Sequence, residues 1–347
     1  MDTLVAGQHC SIVFTSLGQV HAAPFYRWDI LTRGWFGSGQ FYHNLEEESS
    51  PKALLKNLKL GVNVDIVGVD FSGSKADNVT WMASGSLTGR ELTLHGCRAV
   101  KRADLLSTLE ALPGGSVAAL DFPFSVPLEF ARFWQPQARS MTQLWQAALD
   151  MDFDQFIGLR DEFVDRYGEP KRLIDTLHPE SYSCLHKVNP NMVPMTFRGM
   201  QMLARLWPAG CDVPPLPSQG AGKALLLEVM PGAVLRALEL PFKGYKNGTR
   251  TLELRRQILE GLPGRVPLAL PNLERLQNDC MASHDCLDAV VAAVAAALWS
   301  TDPVMFRLPA PQDGRENGSS LMPNPMIEGW LYAPVHIGDR YPGFHPG

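Results

Sequence analysis

From Val62 onward the chain falls into short apolar runs separated by turn-forming residues, and that spacing predicts strands before any helix. Residues 64–69 read as a buried strand and 79–84 as a second. Residues 91–100 form a third, with partial alternation of apolar and polar positions. Ser72-Gly73-Ser74 and Thr88-Gly89 supply the turns between them. A helix is expected over 103–112, where Leu105, Leu106, Leu109 and Leu112 share one face and Pro113-Gly114-Gly115 ends it. The run 117–120 is a fourth strand. Two turn-backs, a helix and then another strand predict an α/β fold with a mixed sheet rather than a doubly wound parallel one.

Beyond the fourth strand the pattern changes. Segments 141–149, 153–167 and 197–207 are rich in Trp, Gln, Met and Arg at helical spacing, so 128–222 reads as a large helical insertion. Its end, 208–222, carries Pro214, Pro215, Pro217, Gly220 and Gly222 and reads as a loop. A fifth strand is expected over 224–229, then helices over 233–238, 249–262 and an alanine-rich 284–299. Residues 1–60 have no clear periodicity and read as an N-terminal appendage. Residues 61–302 hold the main domain, and 303–347 a C-terminal extension with an edge strand or lid.

Composition narrows the choice of partners. With 31 basic and 36 acidic residues the net charge is −5, so no overall field holds a polyanion, and nucleic-acid contact requires a local patch. Six scattered cysteines without a Cys-x-x-Cys spacing fit a reduced, cytoplasmic protein. Cys280, His284 and Cys286 lie close in sequence but lack the second ligand pair of a structural zinc site. The longest apolar run, 289–299, is too short for a membrane span, and the start has no basic segment ahead of an apolar one, so neither membrane insertion nor secretion is expected.

The candidate chemistry lies in carboxylates at the ends of apolar runs. Asp70 closes the first strand, Asp121 the fourth, and Glu228 sits inside Leu225-Leu-Leu-Glu-Val-Met230. Asp285 and Asp288 share one face at the start of the alanine-rich helix. Buried acids need a partner, and a hard divalent cation, Mg²⁺ or Mn²⁺, is one that several oxygens can share. Local chemistry also accounts for some of them: Asp70 and Asp121 suit turns, and Asp285 suits the first turn of a helix. Glu228 and Asp288 have no such explanation. Gln219-Gly-Ala-Gly-Lys223 fails as a phosphate loop, since Pro217 and Ala224 stand where Gly and Ser or Thr are needed. No nucleophile elbow accompanies the histidines, and Glu328 is too weakly placed for a ligand. Lys243-Gly-Tyr-Lys246 with Arg250, Arg255 and Arg256 is a basic cluster suited either to phosphate or to a solvated helix face.

Taken in order, Gly68-Val-Asp70, Leu120-Asp-Phe-Pro123, Glu228-Val-Met-Pro231, Lys243-Gly-Tyr-Lys246 and Asp285-Cys-Leu-Asp288-Ala-Val290 resemble the domain-of-unknown-function-429 family of predicted nucleases, over about residues 64–300. The resemblance implies a ribonuclease H-like mixed five-stranded sheet flanked by helices. It implies metal-ligand and catalytic roles for Asp70, Asp121, Glu228 and Asp288, with Asp285 as a further ligand. Lys75, Lys243, Lys246 and Arg250 are then the candidate substrate-binding residues. The expected activity is hydrolysis of a phosphodiester, in nucleic acid or a smaller molecule, by metal-activated water. Two alternatives stand beside it: an Mg²⁺-dependent phosphotransferase of the sugar-kinase and actin type, and a non-catalytic partner-binding protein that keeps the fold.

Overall fold

The computed structural model describes residues 12–14, 20–22, 63–309 and 324–335. Its main sheet contains β1 (Asn63–Asp70), β2 (Thr80–Thr88), β3 (Glu91–Val100), β4 (Val117–Asp121) and β5 (Leu225–Glu228), in spatial order β3-β2-β1-β4-β5. The first three pair antiparallel, while β1–β4 and β4–β5 are parallel. Connection length explains the mixture. Tight turns suffice for hairpins, whereas a parallel neighbour needs a crossover, supplied before β4 by α1 (Arg102–Glu110). Between β4 and β5 run α2 (Leu128–Trp134), α3 (Met141–Leu149), α4 (Phe153–Tyr167), α5 (Leu173–Thr176) and α6 (Met192–Ala209). The chain then continues through α7 (Pro231–Ala237), α8 (Thr251–Arg265), α9 (Gln277–Ala282) and α10 (His284–Thr301).

Both faces of the sheet are buried. Ile66, Ala119 and Leu227 face the layer of α7, α8 and α10, while Val67, Val69, Leu120 and Leu226 face α1 and the helices between β4 and β5. Strand alternation thus assigns every second residue to each core. The elements over 141–149 and 153–167 coincide with the sequence expectation. Helix α6 starts at Met192, ahead of the expected 197, and α2, α5 and α9 are additions that short, mixed stretches did not signal.

Helix α10 is the centre of its layer. The Ser283 hydroxyl accepts a hydrogen bond from the Cys286 amide at 3.2 Å, which caps its start, and every residue from Cys286 to Trp299 is buried. Alanines let this helix approach β1 closely. A Cβ on Gly68 would stand 2.1 Å from the Ala293 nitrogen and 2.2 Å from the Ala289 oxygen, so only glycine fits there. Gly68→Ala is therefore expected to lower stability by roughly 1–3 kcal/mol through overpacking against helix backbone, measured by urea denaturation. A change below a few tenths of a kcal/mol would contradict that close approach.

Among the described residues, the C-terminal part pairs with the sheet through one bridge. Leu331 bridges Glu228 in parallel beside β5, and the Tyr332 amide donates to the Glu228 carbonyl at 2.8 Å. The expected appendage over 1–60 lies outside the described residues, apart from the strands Ile12–Phe14 and Val20–Ala22, which pair antiparallel. No described helix is long and apolar enough to cross a membrane.

Candidate metal centre

Asp70 and Asp121 are the last residues of β1 and β4 and are direct partners in the parallel register. Alternation from Ile66 through Gly68, and from Val117 through Ala119, turns both toward α10. The close approach at Gly68 then brings in Asp288, which is fully buried on the first turns of α10. One carboxylate oxygen from each of Asp70, Asp121 and Asp288 lies within 4.8 Å of the others, the one such grouping of potential metal ligands among the described residues.

Two neighbours hold Asp288. The Tyr245 hydroxyl donates to its Oδ1 at 2.8 Å, and the Lys246 ammonium lies 2.6 Å from Oδ2. Tyr245 is buried, and Arg255 anchors this turn by donating from Nε to the Tyr245 carbonyl at 2.8 Å. Burial first, then the charge of Asp288, push the Asp70 carboxyl well above its usual range, although Lys246 pulls the other way. Asp121 is pushed up to about 7 by burial, with Lys246 lowering it and Asp288 raising it. Burial alone would lower Lys246, but Asp288, Tyr245, Asp70 and Asp121 raise it well above its ordinary value. Burial and the neighbouring Asp288 likewise raise Tyr245.

These shifts have a sign that can be tested. A carboxyl with a raised folded-state pKa favours the folded state below its unfolded value, and that contribution disappears as pH rises through the folded value. In EDTA the protein is therefore expected to lose stability between about pH 4 and 7, the window set by Asp121, with Asp70 adding to it. Added Mn²⁺ should reverse the loss above pH 7, because a cation and a proton compete for the same oxygens. Urea midpoints that stay level with pH would exclude this crowding of charge.

The remaining sequence candidates are placed differently. Asp285 borders Asp70 but lies outside the group of three, its Oδ1 2.7 Å from His284 Nδ1. Burial pushes its carboxyl up, yet the bond to His284 and the His284 charge, joined by Asp70 and Lys246, together hold it below the usual range. Glu228 does not join the cluster. Its register partner is Leu120, whose side chain belongs to the opposite core, so alternation turns Glu228 away from Asp121. There Arg172, only 2% exposed, donates to both Glu228 oxygens at 2.5 and 2.9 Å, and the Phe124 amide adds a third bond at 2.9 Å. Arg172 also binds Asp175 through two bonds, at 2.8 and 2.9 Å, so a cation already occupies the place expected for a metal.

Among the basic candidates, Lys246 joins the acids through Asp288, with 45% of its side chain exposed. Arg250 instead pairs with Glu253 through bonds of 2.6 and 2.8 Å on the α8 surface. Lys243 lies over the Phe242 ring at 5.4 Å, and Lys75 is exposed on the loop between β1 and β2. The Sγ atoms of Cys280 and Cys286 lie 3.6 Å apart, while His284 turns to Asp285, so the three do not gather as a zinc set. Arg172 and the role of Tyr245 escaped sequence reasoning. Tyr245 belongs to the Lys243-Gly-Tyr-Lys246 motif, but nothing near Arg172 in sequence marks it as a partner of a strand 56 residues away.

Comparison with known proteins adds one result. No curated protein and no solved structure matches the chain. A family model described as "Protein of unknown function (DUF429)" matches residues 68–313, a span that holds Asp70, Asp121, Asp288, Tyr245 and Lys246. With most of its length covered by that model, the chain belongs to the DUF429 family.

Proposed function

We propose that this protein is a divalent-metal-dependent phosphodiesterase or nuclease of ribonuclease H-like type, with the helices between β4 and β5 as an insertion into that fold. The observation that carries the reading is the convergence of Asp70, Asp121 and Asp288 within 4.8 Å at the end of a parallel strand pair. The donor set fits Mg²⁺ or Mn²⁺: three carboxylates, hard oxygen ligands only, with Asp70 and Asp121 crowded enough to resist ionisation when no cation is near. When bound, such an ion supplies Lewis acidity and lowers the pKa of a water.

The chain's own residues do the rest. Tyr245 fixes the rotamer of Asp288, so that its second oxygen stays turned toward Lys246 and the cluster. Lys246 offers a positive charge beside the acids, suited to a phosphate oxygen. Asp121, pushed up to about 7, can take or release a proton near neutral pH. A net charge of −5 favours a small phosphodiester over a long duplex.

The test is calorimetric titration of Mn²⁺, paired with hydrolysis of bis(p-nitrophenyl) phosphate with and without EDTA. Metal binding with EDTA-sensitive hydrolysis is expected. Absence of Mn²⁺ binding at millimolar concentration would sink the reading and leave a non-catalytic, partner-binding role.

A further inference from the structure

On the face of the sheet opposite α10, a cavity of about 300 Å³ opens between α1 and α6. Three arginines line it: Arg102 from the start of α1, and Arg198 and Arg205 from α6, with Gln201 between them and Leu106 and Met202 as apolar lining. Positions 198, 201, 202 and 205 fall on one helical face, so this grouping follows from the sequence of α6 once α1 lies across it.

Three observations distinguish this cavity from solvated surface arginines. First, the charges are poorly balanced. Asp77 lies 3.4 Å from Arg102, but among the described residues neither Arg198 nor Arg205 has a carboxylate within ion-pair distance, in a chain whose net charge is −5. Burial and then the facing Arg102 charge lower the Arg198 guanidinium, so the two cations repel each other. Second, two of the groups are held in place by backbone. Arg102 Nη1 donates to the Ser72 and Ser74 carbonyls at 3.2 and 2.9 Å, and Arg198 Nη1 donates to the Gly73 carbonyl. Their Nε and Nη2 donors have no partner among the described residues. Third, Arg198 is braced over the Phe153 ring at 5.3 Å, and Gln201 donates to the Ala148 carbonyl at 2.9 Å, which fixes the lining.

We propose that this cavity binds the phosphate group of a small phosphorylated ligand. Guanidiniums arriving from two helices suit a tetrahedral group with three terminal oxygens better than a planar carboxylate, which offers two. The cavity also lies toward the same end of the sheet as the acids. Arg102 follows β3, whose Val100 pairs with Thr80 and Ala99 with Trp81, and Trp81 is the register partner of Asp70. The segment Ser72-Gly73-Ser74, held by Arg102 and Arg198, begins two residues after Asp70. The assignment stands on the arginines alone and does not require that the acids bind a metal.

The test is calorimetry of inorganic phosphate, in EDTA, against the full-length protein. Wild type is expected to bind one phosphate. Arg205→Gln, at an exposed residue with no ion pair among the described residues, should weaken it about tenfold, as loss of one charge-assisted bond does. Arg198→Gln should weaken it at least as much, whereas Asp121→Asn should leave it unchanged. Malonate, as a dicarboxylate probe, should bind more weakly than phosphate. The assignment is overturned by absence of phosphate binding at millimolar concentration, by equal or tighter binding of malonate, or by an Arg205→Gln protein that binds as wild type does. Loss of phosphate binding in Asp121→Asn would move the site to the acidic cluster and also overturn it.

Discussion

Asp121→Asn is expected to bind Mn²⁺ at least about a hundredfold more weakly than wild type, since even residues behind the ligands of a metal site cost ten- to a hundredfold when changed. The same substitution should stabilise the metal-free protein. Asp121 sits in register with Asp70 and within ligand reach of Asp288, and burial together with that crowding pushes its carboxyl up to about 7. The neutral amide keeps the shape and removes one of the repelling charges. Above pH 7 in EDTA the gain should be roughly 1–2 kcal/mol, less than the ~4 kcal/mol implied by the full shift, because burying an amide also carries a desolvation cost. Only below about pH 4 is Asp121 protonated in folded and unfolded chains alike, so the advantage of the variant should shrink steadily as pH falls from 7 toward 4. Opposite signs for metal affinity and apo stability are what a site built for a cation demands. A variant that binds Mn²⁺ normally, or one destabilised at pH 8 as at pH 5, would show that the cluster is an ordinary polar network.

The second large effect lies on the other face. Arg172→Ala should cost about 3–5 kcal/mol, because it leaves Glu228 and Asp175 buried without their shared cation. The guanidinium also donates to the Glu328 carbonyl at 3.2 Å, tying the strand to the short helix α11 (Pro325–Glu328). Urea denaturation measures the loss, and a cost under about 1 kcal/mol would mean that the network relaxes or hydrates freely. Combining Arg172→Met with Glu228→Gln and Asp175→Asn should recover most of the stability, since removing all the charges removes the mismatch. Glu228→Gln alone separates the two centres. It should weaken Mn²⁺ binding far less than Asp121→Asn does, because Glu228 is hydrogen-bonded to Arg172 and the Phe124 amide rather than to any of the three acids, and a hundredfold loss would return Glu228 to the metal site.

The contrast between Glu228 and Asp121 indicates how much could be read from the chain. Asp121 follows Val117-Ala-Ala-Leu120 and Glu228 follows Leu225-Leu-Leu227, both continuous apolar runs at strand ends. A strand buried on both faces has no polar side, so the hydrophobic pattern carries no information about which way its terminal acid points. Position in the sheet and register decide it: Glu228 pairs with Leu120 rather than with Asp121, one residue out of step. Asp288 is more legible, because the alanines that follow it imply close contact between helix and sheet, and the structure places Gly68 of the facing strand at that contact.

The order of the strands and longer helices, the mixed pairing and the acids at strand ends follow from local patterns: period-two and helical spacing, turn residues and connection length, all confined to a few neighbouring positions. Which acids meet, and which cation each one meets, was decided by tertiary structure. Tyr245 and Lys246 reach Asp288 across 43 and 42 residues, and Arg172 reaches Glu228 across 56. The reason is physical. A buried charge takes whatever partner the fold places beside it, and sheet register and the packing of two helical layers place it, neither of which leaves a periodic trace near the residue itself.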